Sequence, residues 1–136
     1  MITLLVLAAG ASRRMNRPKL TLPWGDSTVL DHVLRQAAAS SADSTLLVTG
    51  GSAAESVAVA AAHGVPTVHN PDYETGEMVS SLQLALRHLP PNTEAVLVVL
   101  ADMPLLSSHH FDAVVNAYRI NVLPVEAAQR FPLRSP

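Results

Sequence analysis

Residues 2–10 read Ile-Thr-Leu-Leu-Val-Leu-Ala-Ala-Gly, an apolar run with almost no alternation that closes on a glycine. A strand with one wet face alternates apolar and polar side chains. A run without alternation suits a strand covered on both faces, as in a parallel sheet flanked by helices. Three more runs follow the same plan: residues 45–49 before Gly50 and Gly51, residues 66–69 before Asn70, and residues 95–101 before Asp102. The last is the strongest and predicts the most buried strand.

Helical patterns separate the runs. Val29, Leu30, Val33, Leu34 and Ala37 make one apolar stripe, with Thr28 and Asp31 spaced as a capping box. Ser52 and Glu55 suggest a second box, and the alanine-rich segment after them stops at Gly64. Leu82, Leu86 and Leu89 recur at helical spacing and stop at Pro90 and Pro91. Phe111, Val114, Val115 and Tyr118 form a fourth stripe. Strand and helix thus alternate four times. That order predicts right-handed βαβ units and an α/β fold with a mostly parallel sheet. Ligands of such sheets bind beyond the carboxyl ends of the strands, where Gly10, Gly50, Gly51, Asn70 and Asp102 fall. Residues 1–120 read as one domain. Pro124, Pro132 and Pro136 make residues 121–136 an irregular tail, with at most a short strand near Val122.

Composition limits the function. In 136 residues, 49% hydrophobic content and 15% charge exclude a disordered chain, and a net charge of −2 gives no global case for nucleic acid. The absence of cysteine excludes disulfides and thiolate metal sites. The apolar start is too short to span a membrane, and no basic residues precede it as in a signal peptide. The expectation is a soluble, cytoplasmic protein. Charge is unevenly placed, however. Arg13, Arg14, Arg17 and Lys19 crowd into seven residues, whereas no Lys or Arg occurs between Arg35 and Arg87. Such a cluster either addresses an anion or is a solvated basic loop.

The cluster sits in the loop after the first strand: Leu7-Ala8-Ala9-Gly10-Ala11-Ser12-Arg13-Arg14-Met15, then Pro18-Lys19-Leu20. Ala8, Ala9, Gly10 and Ala11 let backbone N–H groups approach a ligand. Arg14 and Lys19 supply positive charge suited to a polyphosphate. Neither the Walker A pattern nor the dinucleotide fingerprint is present.

The string L-A-A-G-x-S-x-R-M-x-x-P-K-L resembles the signature of the MobA-like nucleotidyltransferases, and within them the molybdenum cofactor cytidylyltransferase branch. The likeness continues through Leu22-Pro23-Trp24-Gly25 and Thr28-Val29-Leu30, then Asn70-Pro71-Asp72-Tyr73 with Gly76, Met78 and Ser80-Ser81-Leu82. It ends in Ala101-Asp102-Met103-Pro104-Leu105. The resemblance implies a three-layer Rossmann-like fold of the nucleotide-diphospho-sugar transferase type. It also implies transfer of CMP from CTP to a molybdopterin-type cofactor, with release of pyrophosphate. By the same resemblance, Leu7, Ala8, Ala9 and Gly10 line the base and ribose. Arg14 holds the β- and γ-phosphates, Lys19 neutralises charge at the α-phosphate, and Asp102 binds Mg2+. Ala9 points to CTP, with GTP the other possibility.

Several residues keep two readings. Asp102 is either a metal ligand or a turn or helix-capping residue before Pro104. Asn70 either bonds a ribose or base edge or forms an Asx turn before Pro71. Ser80 touches nucleotide or caps a helix, and Ser81 reads as a cap. Trp24 reads as packing beside the loop, and His109 and His110 as surface residues. Departures from the family pattern are Asn16 after Arg14-Met15, and Leu84-Ala85-Leu86, which adds bulk near the site. After Tyr118 the family's G-x-P segment and later metal-binding Asp are not recognisable, so a C-terminally truncated chain is expected. The competing functions are therefore a catalytically impaired nucleotide-binding module and a sugar-phosphate nucleotidyltransferase.

Overall fold

A computed structural model of the chain describes residues 1–8, 23–25, 27–50, 53–71 and 78–121. In chain order the elements are β1 (Ile2–Leu7), β2 (Pro23–Trp24), β3 (Ser27–Thr28), α1 (Val29–Ala39), β4 (Ser44–Thr49), α2 (Ala53–Ala62), β5 (Thr67–His69), α3 (Met78–Leu86), β6 (Ala95–Leu100) and α4 (Ser108–Asn121). The expected α/β architecture is present. β5, β4, β1 and β6 form one parallel sheet in that spatial order, and β2 and β3 form a small antiparallel hairpin.

β1 is buried along its whole length because both faces are covered. Leu4, Val6 and Ala8 pack with Leu30, Val33, Leu34 and Ala37 of α1, Ala60 of α2 and Phe111 of α4. Leu5 and Leu7 point the other way, into a cluster with Leu46 and Val48 of β4 and Ala85 of α3. Each fully buried leucine contributes about 1.5–3 kcal/mol of transfer free energy.

Two expectations about burial change. The strand over 95–101 is not the most buried: Val98 is 42% exposed. β6 is an edge strand among the described residues, and on the α3 face its Val96 and Leu100 reach the cluster around Ala85 while Val98 between them does not. Leu86 and Val114 are also exposed. α3 buries Ser81 and Ala85, whereas α4 buries Phe111 and Val115. Ala85 is a core residue, packed with Leu5, Leu7, Leu46 and Val48.

Helix ends follow local chemistry. Asp31 N–H donates to Thr28 Oγ1 at 3.2 Å, which caps α1 as its spacing predicts. The Asp31 carboxylate is directed elsewhere. Oδ2 accepts from Arg35 at 2.6 Å and Oδ1 contacts His63 Nε2 at 2.7 Å, which ties α1 to the end of α2. The His63 bond, helped by the Ser27 hydroxyl and the Arg35 charge, holds the Asp31 carboxyl below its ordinary value, while burial opposes the shift. α2 ends in a Schellman motif: Val65 N–H donates to Ala60 O and Gly64 N–H to Ala61 O, with Gly64 at φ +66°. Ser52, read as a cap for α2, lies outside the described residues. α4 reaches Asn121, the first residue of the expected tail; residues 122–136 lie outside the described set.

Two predictions follow from these helix ends. A Cβ at Gly64 would meet nothing within 4 Å, so Gly64→Ala tests backbone strain without a clash. Urea unfolding should show a loss of about 1–2 kcal/mol, with a smaller loss for Gly64→Asn; an unchanged midpoint would refute the left-handed cap. Asp31 stabilises through a depressed pKa, so its contribution is present above the unfolded value of 3.8 and is lost as pH falls through the folded value. The stability advantage of the native chain over Asp31→Asn should persist from about pH 7 to about pH 5 and shrink below about pH 4. A gap that stays constant down to about pH 3 would refute it.

Candidate functional site

The sheet order fixes where a ligand crevice lies. From β1 the chain moves outward through β4 to β5, then returns to place β6 on the opposite side of β1. The order reverses between β1 and β6, and open α/β sheets bind ligands at that point, beyond the carboxyl ends. Leu7 pairs with Val48 on one side and Leu100 on the other. Ala8 N–H donates to Val48 O at 2.8 Å, and Ala101 N–H donates to Leu7 O at 3.0 Å. Just past these bonds the carboxyl edge reads, across the sheet, Asn70, Gly50, Ala8 and Asp102. Ala8 and Asp102 flank the switch point.

Ala8 is buried, and its methyl group packs into the core with α1. Asp102 lies in the turn after β6 and is half-buried. It does not cap α4, which starts at Ser108. That helix start is held by Ser107 and His110: Ser107 N–H donates to His110 Nδ1 at 3.0 Å, and His110 N–H donates back to Ser107 O. The capping alternative for Asp102 is thereby removed. Among the described residues, none donates a hydrogen bond to its carboxylate. His109 and His110 are exposed, as expected, although His110 has the capping duty that its surface position hides.

Asn70 is only 3% exposed. Its amide donates to Ser80 Oγ at 3.1 Å and to Ser81 Oγ at 2.9 Å, and its backbone N–H donates to Thr49 O at 2.8 Å. Asn70 therefore pins the first turn of α3 to the ends of β4 and β5. Ser81 is not a helix cap; it is the fourth residue of α3 and accepts from Asn70. Next to this network, Thr49 Oγ1 meets His69 Nδ1 at 3.1 Å on the opposite sheet face, a pair that the strand pattern did not single out.

The other expected site residues, Ala9, Gly10, Arg14 and Lys19, lie outside the described residues, as do Asp72, Tyr73 and Gly76. The two flanks of that basic segment are described. Ala8 ends β1, and the β2–β3 hairpin follows, pairing Pro23 with Thr28 and Trp24 with Ser27. Trp24 packs at 6.0 Å from the His32 ring, tilted by 48°.

No group of three or more His, Cys, Asp or Glu that could hold a metal gathers among the described residues. A lone Asp102 still fits a magnesium ion, which takes one or two carboxylates and completes its shell with phosphate oxygens and water. A cleft of about 520 Å³ lies at the opposite, amino end of the sheet, lined in part by Ser44, Leu46, His63, Pro66, His88 and Pro90. It is remote from the switch point. No described helix is long and apolar enough to cross a membrane.

Known proteins share this arrangement. The MobA-like NTP transferase domain matches residues 4–133, past Tyr118, where the sequence showed no recognisable family pattern. The molybdenum cofactor cytidylyltransferase of Escherichia coli K12 is 33% identical over 107 residues, covering 78% of this chain and 54% of that protein. The bifunctional protein GlmU of Alkalilimnicola ehrlichii is 35% identical over 120 residues, covering 84% of this chain and 24% of that protein. The crystal structure of Rv0371c from Mycobacterium tuberculosis H37Rv superposes with a TM-score of 0.76 at 34% identity, covering 85% of this chain and 59% of that one. Rv0371c has also been crystallised in complex with manganese, where the TM-score is 0.71 at 31% identity, covering 85% of this chain and 58% of that one. The chain thus spans little more than half of the cytidylyltransferase and of Rv0371c, and about a quarter of GlmU. By fold, by carboxyl-edge layout and by sequence match, it belongs to the MobA-like NTP transferase domain family.

Proposed function

We propose that the chain is the nucleotide-binding part of a nucleotidyltransferase that moves CMP from CTP to a molybdopterin-type acceptor and releases pyrophosphate. The observation that carries this reading is the pairing of Ala8 and Asp102 across the sheet's switch point in a chain of this family. A small buried residue on one side admits a nucleoside against backbone. A half-buried carboxylate on the other is suited to a cation beside the phosphates.

In this reading Leu7, Ala8, Ala9 and Gly10 seat the base and ribose. Arg14 forks onto the β- and γ-phosphates and Lys19 faces the α-phosphate, each by charge-assisted hydrogen bonds. Asp102 holds Mg2+, which when bound neutralises developing phosphate charge. The manganese complex of Rv0371c supports a divalent ion in this family. Asn70 and Ser80 form the side wall; with the amide committed to Ser80 and Ser81, Asn70 serves by placing α3. An acceptor phosphate oxygen attacks the α-phosphorus, the bond to the bridging oxygen breaks, and pyrophosphate departs with that electron pair. Such a step needs positioning and charge neutralisation more than covalent help from the protein. CTP is favoured over GTP through Ala9, and a cytoplasmic location fits the lack of cysteine.

Calorimetry with CTP and GTP, with and without magnesium, tests the reading. The expected result is magnesium-dependent binding that prefers CTP. Lys19→Ala should weaken affinity roughly tenfold without moving the unfolding midpoint. Asp102→Asn should abolish the magnesium dependence; if the dependence survives, Asp102 is only a turn residue. Pyrophosphate release with molybdopterin, compared with sugar phosphates, then identifies the acceptor. Binding without release in either case would identify a nucleotide-binding module. A folded chain that binds neither nucleotide would end the proposal.

A further inference from the structure

The cleft of about 520 Å³ at the amino end of the sheet lies where a strand ladder stops early. β4 starts at Ser44 but pairs with β5 only from Leu47 to Thr49. The register that pairs Leu47 with Thr67 would set Thr45 against Val65, and Thr45 C=O would then accept from the N–H of residue 66. Residue 66 is proline and has no N–H. Val65 N–H is already committed to Ala60 O in the turn after α2. Leu47 N–H donates to Pro66 O and Asn70 N–H to Thr49 O, so alternate residues of β4 turn their backbone groups toward β5. Thr45 turns its groups the same way, into the cleft that it lines. Among the described residues neither its N–H nor its C=O has a partner on that side.

Two histidines line the same cleft, His63 after α2 and His88 after α3. Their tautomers are fixed by what they bond. His63 Nε2 meets Asp31 Oδ1 at 2.7 Å, and His88 Nδ1 meets Leu84 O at 2.9 Å. The Asp31 carboxyl is held below its ordinary value and is ionised at neutral pH, so both oxygens only accept and these nitrogens carry the hydrogens. In the neutral rings His63 Nδ1 and His88 Nε2 are therefore acceptors, and among the described residues neither has a partner. The cleft thus offers three acceptors, with Thr45 C=O the third, against one fixed donor, Thr45 N–H. Its field has the same sense. α2 and α3 both end here, and neither has a basic residue in its last turn to offset the partial negative charge of its carbonyl end. Among the described residues that line the cleft none is Lys, Arg, Asp or Glu, and Arg87 beside His88 is exposed and not one of them.

We infer that this cleft is a second ligand site, separate from the crevice at the carboxyl edge, and that it takes a small organic amine: an ammonium group on an apolar body. The ammonium brings N–H donors to the ring nitrogens and to Thr45 C=O, and positive charge to the two helix ends. The apolar body lies along Leu46, Val65, Leu89 and Pro90, in a volume ordinary for a small-molecule site. A carboxylate or phosphate would find one fixed donor and would meet the same helix ends with the wrong sign. A transition-metal ion could use the ring nitrogens, but no third His, Cys, Asp or Glu joins them among the described residues. The site stands on residues 45, 63 and 88 and is independent of the nucleotide reading of the crevice.

Benzylamine is the probe, with benzoate and benzyl alcohol as controls of similar shape and different charge. Nitrogen-15 spectra of the backbone and imidazole groups follow each titration of the native chain. Benzylamine should shift Thr45 N–H, His63 Nδ1 and His88 Nε2 with an affinity on the order of 1 mM. Both controls should bind roughly tenfold more weakly. His88→Phe keeps a ring and removes the acceptor, and because His88 bonds only its own helix the fold should survive while benzylamine affinity falls roughly fivefold. Ala38→Trp, at an exposed position on the cleft wall, fills the space without removing a polar atom and should abolish the shifts. Equal shifts from all three probes would leave an apolar surface with no preference for a cation and overturn the inference. Shifts that survive in Ala38→Trp would put the amine elsewhere and overturn it too. So would Zn2+ binding at both rings while benzylamine moves neither them nor Thr45, since the pair would then be a metal site.

Discussion

The two-sided burial of β1 is the constraint on which the rest depends. A strand that sends Leu4, Val6 and Ala8 to one face and Leu5 and Leu7 to the other must be sandwiched between helices. It must also have a neighbour along each edge, and β4 and β6 supply these. Parallel neighbours need long crossovers, and those crossovers are the helices that cover the faces. Once β1 is central, the chain can place β4 and β5 on one side only and must reverse to place β6. The crevice at its carboxyl end is thus a by-product of burying six residues.

Much of this was legible in the sequence because period and burial coincide. The stripe Val29, Leu30, Val33, Leu34 and Ala37 is the buried face of α1, residue for residue. Gly64 marked the end of α2 because only a left-handed residue completes that turn without strain. What failed was the inference from hydrophobicity to depth. Val98, Leu86 and Val114 are as apolar as their neighbours but are exposed. Periodicity says which side chains share a face, but not whether another element reaches that face. Val96 and Leu100 of β6 reach the cluster beneath α3 while Val98 between them is exposed, a fact of packing between distant segments.

The site was legible in the same partial way. The carboxyl-edge rule placed Gly50, Asn70 and Asp102 together before any geometry was known, and the sheet order puts them in one row with Ala8. The job of each residue was not legible. Asn70 read equally as an Asx turn or a ligand contact, and the structure adds a tie of its amide to Ser80 and Ser81 of α3. Asp102 read as a metal ligand or as a turn or capping residue, and the Ser107–His110 pair at the start of α4 leaves no cap there for it. Asp31 and Arg35 stood at a visible helical spacing, but the His63 partner lies 32 residues away and no local pattern indicates it.

These roles separate two physical tasks. In the proposed reading, a nucleoside seated against Ala8 asks for a backbone that does not move, and Ala8 is bonded into the centre of the sheet. Neutralising a polyphosphate asks for long cationic side chains, which the sheet itself does not provide: no Lys or Arg occurs between Arg35 and Arg87. The cations are instead concentrated at positions 13–19, between β1 and β2 in the sequence. At the start of α1, the Asp31 carboxylate meets Arg35 of the same helix and His63 beyond α2, and such charge-assisted bonds give the contact a defined direction that apolar contact lacks.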